Sequence, residues 1–262
     1  MFERIPLKST IVPVSELQEE PYASVLCYPK ATPNQIQGRL EELRKLGVKA
    51  IEFSGKAKAF TLPVLGKGYV GIVAVAHVGC ERLALKMQRV DSDRESLDHE
   101  AELLVLANGV NVGAKFVGAT KRFLLMQLVD GDLIEVWLEN HKDAALTRKL
   151  LLDILEQCWR MDEIGLDHGE LSKAPKHLLV DGSDKPFIVD FETASTRRNS
   201  SNVTSVCQFL FQGNSNVCKA VAEVIGEMDR TKMVEALKLY KKNRNRVNFQ
   251  GILEVCLVFT KK

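Results

Sequence analysis

The hydrophobic pattern changes its period near residue 130, and this change constrains the fold more than any other feature. Residues 64–129 carry short apolar runs and alternating patterns typical of strands, as in RLALKMQRV and FLLMQLV. Residues 130–262 are predicted to be mostly helical, and in ALTRKLLLDILEQCWRMDEIG the helical spacing places Leu151, Leu155 and Trp159 on one stripe. The pattern predicts an α+β chain with a β-rich N-lobe (64–129), a short hinge and a helical C-lobe (130–262). Such lobes enclose a cleft, where small-molecule sites tend to lie.

Residues 1–63 are predicted to form a small α/β extension. SVLCY has the composition of a short strand, and AIEFSG that of another. Between them, Thr32 suits an N-cap and Pro33 the first helical turn, while Gly47 follows the last apolar residue of IQGRLEELRKL. This extension is either part of a winged helix, a small cap, or an amphipathic helix docked on the next lobe, and the last interpretation is favoured.

The composition limits the cellular compartments in which such a chain is expected. No apolar run reaches about 18 residues, so no membrane span or membrane partner is expected. The start, MFERIPLKST, lacks the apolar core of a leader peptide. The 6 cysteines are scattered and read as buried thiols of a reducing compartment. A soluble cytoplasmic protein is expected, and its net charge of +2 means that any nucleic-acid surface is local.

A glycine-rich stretch opens the predicted N-lobe. Gly66, Gly68, Gly71 and Val73 fit the pattern G-x-G-x-x-G-x-V. Glycines allow backbone N–H groups to approach phosphate oxygens closely. Alone the stretch is a weak signal, because glycine-rich hairpins often arise by chance. A dinucleotide-binding fold is disfavoured because VGIVAVAHV reads as a strand where that fold needs a helix.

Ala84 and Lys86 lie two residues apart on the next predicted strand and therefore share a face. A small residue leaves room for a base, and a cation reaches phosphates. The alternative is an exposed lysine on an edge strand. The following helix offers Glu100 or Glu102 as the anion that positions Lys86, and Glu100 is favoured because Leu103 and Leu104 then pack inward.

FLLMQLV has the position of a hinge between the lobes. Met126 is expected to border a base pocket there. The backbone groups of Gln127 and Val129 are expected to meet the edge of the base. This interpretation rests on position along the chain, because backbone contacts leave no trace in a sequence.

Two segments of the C-lobe carry the chemistry. In IVDFE, Asp190 ends an apolar strand, and a hard carboxylate there suits Mg²⁺ bridging phosphates. In LDHGELSKAPKHLLV, Glu170 offers a carboxylate that orients an acceptor hydroxyl and takes its proton. His177 is a candidate second metal ligand, or a partner of a phosphate or the acceptor. His168 is expected to orient the loop backbone, and Pro175 brings no ligand atom.

These motifs together resemble the small atypical kinases of the RIO type and the kinase of the KEOPS complex. The match covers residues 64 to about 215 of a chain that also lacks an A-P-E motif after Asp190. The variants H-G-E-L and D-F-E-T-A-S look like the archaeal RNA kinase (ArkI) family, in which the 2′-hydroxyl of an internal tRNA uridine is phosphorylated. The resemblance implies a compact bilobal kinase fold, ATP and Mg²⁺ as cofactors and tRNA as acceptor. Glu170, Pro175 and Glu192 depart from the common kinase pattern of Asp, Asn and Gly.

Basic clusters bear on the acceptor independently. Arg197 and Arg198 directly follow the metal segment, and Lys173 and Lys176 lie near Glu170. The tail KLYKKNRNRVNFQ adds five cations and two aromatic residues, Lys238, Lys241, Lys242, Arg244 and Arg246 with Tyr240 and Phe249. Such clusters contact RNA phosphates and stack unpaired bases, or form a solvated helix.

Two other functions remain open from the sequence alone. A serine/threonine protein kinase of RIO or KEOPS type would phosphorylate protein without any gain from RNA. A pseudokinase scaffold would bind nucleotide without transfer, as the altered H-G-E-L and the missing Asn suggest. The joint presence of Lys86, Glu100 and Asp190 argues against decay.

Overall fold

A computed structural model describes residues 9–257. The first eight residues of the predicted extension and the last five of the predicted helical lobe lie outside this range. The chain forms two compact units, the first Met1–Glu102 with Lys115–Leu128 and the second Leu103–Ala114 with Val129–Lys262. The main change of unit falls after residue 128, one residue from the predicted boundary. The chain is thus an α+β protein with a sheet-rich N-terminal part and a helical C-terminal part.

The first unit is built on antiparallel strands. Its elements are β1 (Thr10–Pro13), α1 (Tyr22–Leu26), α2 (Pro33–Lys45), β2 (Val48–Phe53), β3 (Ala57–Ala59), β4 (Leu62–Val64), β5 (Gly66–Lys67), β6 (Gly71–Val78), β7 (Glu81–Gln88), the start of α3 (Asp98–Gly109), β8 (Phe116–Thr120) and β9 (Phe123–Gln127). Seven strands form one sheet in the order β1-β2-β6-β7-β9-β8, with β5 paired to β6, and β3 pairs with β4 separately. β1 and β2 fall within the predicted extension and belong to this sheet, so the described residues 9–63 share the first unit with the strands of the predicted N-lobe.

One face of the sheet packs against the N-terminal segment. Buried residues of β6, β7 and β9 such as Ile72, Leu85 and Leu125 belong to one core with Leu40 and Leu43 of α2. Alternate residues of those strands, including Lys86, point to the opposite face. The favoured prediction of an amphipathic helix docked on the next lobe therefore agrees with the position of α2.

Helix α2 begins and ends where its sequence predicts. The Thr32 side chain accepts a hydrogen bond from the Gln35 N–H, and Pro33 occupies the first turn. Gly47 adopts a φ of 74° just after the C-cap residue Leu46, as a C′ glycine does. The prediction for SVLCY was wrong, because Ser24 lies within α1 and the segment forms no strand. Short apolar runs do not distinguish a buried helix from a strand.

The second unit is helical around a small sheet. Its elements are β10 (Gly131–Leu133), α4 (Ile134–Asn140), α5 (Ala144–Glu163), β11 (Leu178–Asp181), β12 (Pro186–Ile188), α6 (Asn202–Cys207), α7 (Asn216–Ile225), α8 (Arg230–Lys242) and α9 (Arg246–Leu257). The strands pair in the order β10-β11-β12. A 3₁₀ turn (Leu171–Lys173) and a π-helical turn (Gln208–Gln212) complete it.

Helix α5 organises this unit. The predicted stripe of Leu151, Leu155 and Trp159 is buried, and Asp143 caps the helix by accepting the Leu146 N–H at 2.7 Å.

None of the helices in residues 9–257 combines the length and apolarity needed to cross a bilayer. Five of the cysteines are buried thiols as predicted, whereas Cys80 is exposed.

Candidate functional site

Lys86 lies on β7, an interior strand of the large sheet, and only 5% of it is exposed. Its Nζ is 2.9 Å from Oε1 and 2.8 Å from Oε2 of Glu100 on α3. The alternative interpretation of Lys86, an exposed lysine on an edge strand, is thereby excluded. Glu100 is confirmed as its partner, and Glu102 is exposed. Removing one member of a buried ion pair leaves the other uncompensated, which costs about 3–5 kcal/mol.

Strand register decides which residues share a face with this lysine. Val73 lies directly opposite Lys86 on β6, and Ala84 lies opposite Met126 on β9. Directly opposite residues point to the same face of a sheet. Val73, Ala84 and Met126 therefore line the same face as Lys86, as the nucleotide-binding prediction requires of them.

The glycine stretch forms a tight turn between β5 and β6, closed by a 2.8 Å hydrogen bond from the Gly68 N–H to the Gly71 carbonyl. At Gly71 a Cβ would lie 3.0 Å from the Met87 carbonyl and 3.1 Å from Cγ of Lys86. At Gly66 and Gly68 the nearest atoms would be 4.0 and 3.7 Å away, so a side chain would fit. Of these three positions, only residue 71 is packed so tightly against the Met87 carbonyl and the Lys86 stem that a Cβ would force its neighbours to shift.

The predicted hinge residues have more specific contacts than the sequence revealed. The Gln127 N–H donates to the Lys115 carbonyl at 2.8 Å, and its Oε1 accepts the Lys115 N–H at 3.2 Å. That N–H is engaged within the protein, which argues against its predicted contact with a base. Val129 is half-buried at the start of the longer segment of the second unit.

In the second unit, Glu170, His177 and Asp190 converge. Nε2 of His177 is 3.4 Å from a Glu170 oxygen, and its Nδ1 is 3.8 Å from an Asp190 oxygen. One ligand atom from each residue lies within 4.8 Å of the others. His177 is 9% exposed, whereas the two carboxylates are partly open to solvent.

Local backbone pairing produces this convergence. The Val189 N–H donates to the His177 carbonyl at 3.0 Å and so continues the β11–β12 ladder by one step. Asp190 follows in the left-handed region with a φ of 72°. Non-glycine residues adopt this region at a cost of order 1–3 kcal/mol, although aspartate tolerates it better than most. The fold thus holds Asp190 in an unusual conformation beside His177.

The donor set fits a divalent cation. Two carboxylates are hard oxygen ligands of the kind that Mg²⁺ and Mn²⁺ prefer, and an imidazole suits Mn²⁺ better than Mg²⁺. An ion takes only one ring nitrogen. Nδ1 of His177 is buried without a hydrogen-bond partner among the described residues, and it faces Asp190. It is therefore the nitrogen that this arrangement offers to an ion.

His168 has a structural role in the same loop. Its Nε2–H donates to the Val189 carbonyl at 3.1 Å, and its backbone N–H donates to Oδ1 of Asn202 at 2.9 Å. Burial lowers the pKa of His168 to about 4, and the neighbouring His177 adds to the effect. The ring is neutral near pH 7 and links two backbone segments, in line with the predicted orienting role.

Arg198 makes a hydrogen bond to the Glu170 loop that its sequence position does not predict. Nε of Arg198 donates to the Asp167 carboxylate at 2.8 Å, and Nη2 donates to the Thr193 carbonyl at 2.6 Å. Thr193 Oγ1 in turn donates to the His168 carbonyl at 3.0 Å. A Cβ on Gly169, whose φ is 89°, would lie 2.6 Å from Nη2 of Arg198. Arg198, predicted as an RNA contact, therefore ties the Glu170 loop to the segment after Asp190.

The basic tail also differs from its prediction. Tyr240 and Phe249 are fully buried, Tyr240 donates to Asp162 at 2.9 Å, and Phe249 stacks on Trp159. Neither aromatic ring is available to stack a base, which corrects the prediction for both. Two of the tail's cations are also engaged, Arg244 with Ser200 and Arg246 with Glu156. All five cations of the tail are exposed, and so are three of the four basic residues predicted near the site, Lys173, Lys176 and Arg197. The fourth, Arg198, is exposed as well but is engaged with Asp167.

No protein-family model matches the chain. The chain is similar to the uncharacterized protein MJ1211 of Methanocaldococcus jannaschii, with 29% identity over 120 residues. The match covers 45% of this chain and 99% of that protein. The similarity connects the chain to an archaeal protein and brings no activity with it.

Proposed function

We propose that this protein is an ATP- and Mg²⁺-dependent phosphotransferase that phosphorylates an RNA hydroxyl, with the ribose 2′-OH of an internal tRNA uridine as the first candidate. One observation carries the proposal, the convergence of Glu170, His177 and Asp190 on ligand atoms within 4.8 Å of one another. A divalent cation held by Asp190 and Nδ1 of His177 would neutralise charge on the transferring phosphate oxygens, and Glu170 on the other edge of the ring would remain free to act as a base.

His177 would connect the two carboxylates of this cluster. With Nδ1 on the cation beside Asp190, its Nε2 carries the ring proton and faces Glu170 at 3.4 Å. An N–H there would point at the Glu170 carboxylate and help to hold it in one orientation. The same ring would thus serve as a ligand on one edge and orient the base on the other.

Glu170 would act on the acceptor. Its carboxylate accepts the proton of the attacking hydroxyl as the hydroxyl oxygen bonds to the γ-phosphorus. The bond from that phosphorus to the bridging oxygen breaks, and ADP leaves with the electron pair. Compared with aspartate, glutamate presents the same group on a stem longer by one methylene.

Lys86 and Glu100 would serve the nucleotide. Burial makes an uncompensated Lys86 costly, so the ammonium stays with Glu100 and is held in one orientation. A cation fixed in this way binds phosphate oxygens without further loss of side-chain freedom. Support for the assignment comes from the shared face with Ala84 and from the glycine turn packed on the lysine stem.

Exposed cations support a polyanionic acceptor. Lys173 and Lys176 are exposed on the chain between Glu170 and His177, and Arg197 is exposed after Asp190. Contacts from such side chains to phosphates give affinity without reading sequence. A serine or threonine acceptor is the second candidate, favoured by the burial of Tyr240 and Phe249, which removes two predicted stacking surfaces.

The test is transfer of labelled γ-phosphate from ATP, in parallel, to total archaeal tRNA and to protein substrates. Label in RNA that survives protease supports the RNA kinase. Label in protein alone moves the chain to the protein kinases. Binding of ATP with Mg²⁺ but no transfer to either acceptor overturns the enzyme and indicates a scaffold.

A further inference from the structure

The N-terminal segment contacts the glycine turn through Tyr28. Nζ of Lys67, inside the turn, donates to Oη of Tyr28 at 2.6 Å and lies 4.4 Å from the centre of its ring. The guanidinium of Arg89 lies 4.9 Å from the same ring centre. One cation from the turn and one from Arg89, the residue after the end of β7 at Gln88, therefore meet on a single aromatic ring, and each makes an attractive cation–π contact with it.

Arg89 holds the backbone of the turn. Its N–H donates to the Val70 carbonyl at 2.8 Å, and its Nη1 donates to the Gly68 carbonyl at 3.0 Å. Asp91 orients the guanidinium through two hydrogen bonds of 2.8 and 2.6 Å. These bonds lower the pKa of Asp91 and raise that of Arg89, so both stay charged.

The hydrogen bond from Arg89 to the Gly68 carbonyl fixes the direction in which the Tyr69 N–H points. In a planar trans peptide the carbonyl and the following N–H point in opposite directions. When the Gly68 carbonyl bonds to Arg89, the Tyr69 N–H must point away from Arg89. Tyr28 is itself anchored, since its carbonyl accepts the Val90 N–H at 2.8 Å and its ring packs on Phe60.

We infer that Tyr28 is a positioning residue for nucleotide binding. Its ring immobilises Lys67 and Arg89, which in turn fix the glycine turn (66–71) in the conformation that receives phosphates. Binding to a preformed turn avoids the loss of freedom that a mobile turn would incur. The inference rests on the proposed function for its ligand, and it gives the N-terminal segment a role that its sequence does not disclose.

Two variants of the full-length protein separate the ring from the hydroxyl. Tyr28→Phe keeps the ring and loses the bond from Lys67, whereas Tyr28→Leu loses both. For Tyr28→Leu we expect the dissociation constant of ATP with Mg²⁺ to rise about tenfold, a ratio equivalent to about 1.4 kcal/mol. Tyr28→Phe should fall between it and the wild type. The matched control is Tyr22→Phe, which changes a tyrosine of the same segment that stacks on Phe53 and does not touch the turn.

Two readouts keep this inference apart from the proposed function. In the absence of nucleotide, hydrogen exchange of amides 66–71 should accelerate in Tyr28→Leu and not in Tyr22→Phe. In kinetics, KM for ATP should rise in both Tyr28 variants while KM for the acceptor stays constant. Faster exchange in Tyr28→Leu, with no nucleotide binding by the wild type, would overturn the proposed function. It would also overturn the nucleotide as the ligand of the turn that Tyr28 holds. If Tyr28→Leu binds nucleotide as tightly as the wild type and its exchange is unchanged, Tyr28 does not position the turn. That result would leave the proposed function standing.

Discussion

Nδ1 of His177 lies 3.8 Å from a carboxylate oxygen of Asp190, and that nitrogen is buried without a hydrogen-bond partner in residues 9–257. An unsatisfied buried nitrogen costs free energy unless something supplies its missing partner. A cation bound by Asp190 is such a partner.

We therefore expect His177→Ala to weaken Mn²⁺ binding at least tenfold, a factor of about 10–100 being common even for residues that only support a ligand. His177→Asn, which offers an amide oxygen, should recover part of the affinity. Electron paramagnetic resonance of free Mn²⁺ gives the dissociation constants. The control is His99→Ala, since His99 is exposed. Equal affinities in His177→Ala and the wild type would remove His177 from the ligand set.

Glu170→Gln should lower the rate of phosphoryl transfer by about 10²–10⁴, the usual contribution of a general base. The glutamine amide fills the same volume but cannot accept a proton near neutral pH. KM for ATP should hardly change, because Glu170 is not among the residues proposed to bind ATP. Glu170→Asp should retain part of the rate, because it keeps the carboxylate on a shorter stem. Single-turnover kinetics measures both. Glu163→Gln, at an exposed position, controls for the change in net charge, and a Glu170→Gln rate equal to this control contradicts the assignment.

Gly71→Ala should displace the Lys86 stem, because the new methyl lies 3.0 Å from the Met87 carbonyl and 3.1 Å from Cγ of Lys86. Overpacking of this kind costs about 1–3 kcal/mol. We expect that loss in the free energy of unfolding in urea, and weaker ATP binding. At Gly68 the methyl would be 3.7 Å from its nearest neighbour, so Gly68→Ala should be the more stable variant. The reverse order of stability would show that the turn does not pack on Lys86.

Stability should fall in acid through His168. Burial lowers its pKa from 6.5 to about 4, so the folded state binds fewer protons than the unfolded chain. The contribution is complete above about pH 6.5 and is lost as the pH falls towards 4, with a total on the order of 3 kcal/mol. In His168→Gln the difference in unfolding free energy between pH 7 and pH 4.5 should shrink. An unchanged difference would mean that His168 titrates normally in the folded state.

Local signals predicted the parts of the fold that depend on neighbouring residues. Thr32, Pro33 and Gly47 mark the ends of α2 through hydrogen bonds and dihedral angles that reach only a few residues. The partner of Lys86 was predictable for a similar reason, since the inward packing of Leu103 and Leu104 decides the face of α3 on which Glu100 lies. Period-2 and helical patterns were enough to divide the chain near residue 130.

Long-range pairing was not predictable from the same signals. No local signal shows that β2 pairs with β6 or that β1 pairs with β2, so the membership of these two strands in the large sheet could not be predicted. Arg198 and Arg246 looked like free cations because their partners, Asp167 and Glu156, are 31 and 90 residues away. Tyr240 and Phe249 likewise looked like a binding surface because the residues that bury them lie on α5.

The most direct test of the central claim, that the Glu170–His177–Asp190 cluster serves phosphoryl transfer, compares label transfer from γ-labelled ATP to tRNA by the wild type and by Asp190→Asn. Asparagine adopts the left-handed backbone of residue 190 readily, so the variant should fold while losing a charged ligand. We predict labelled RNA with the wild type and a loss of at least about 10²-fold with the variant, as for removal of one electrostatic contact to a transition state. Equal labelling by the two proteins would contradict the account.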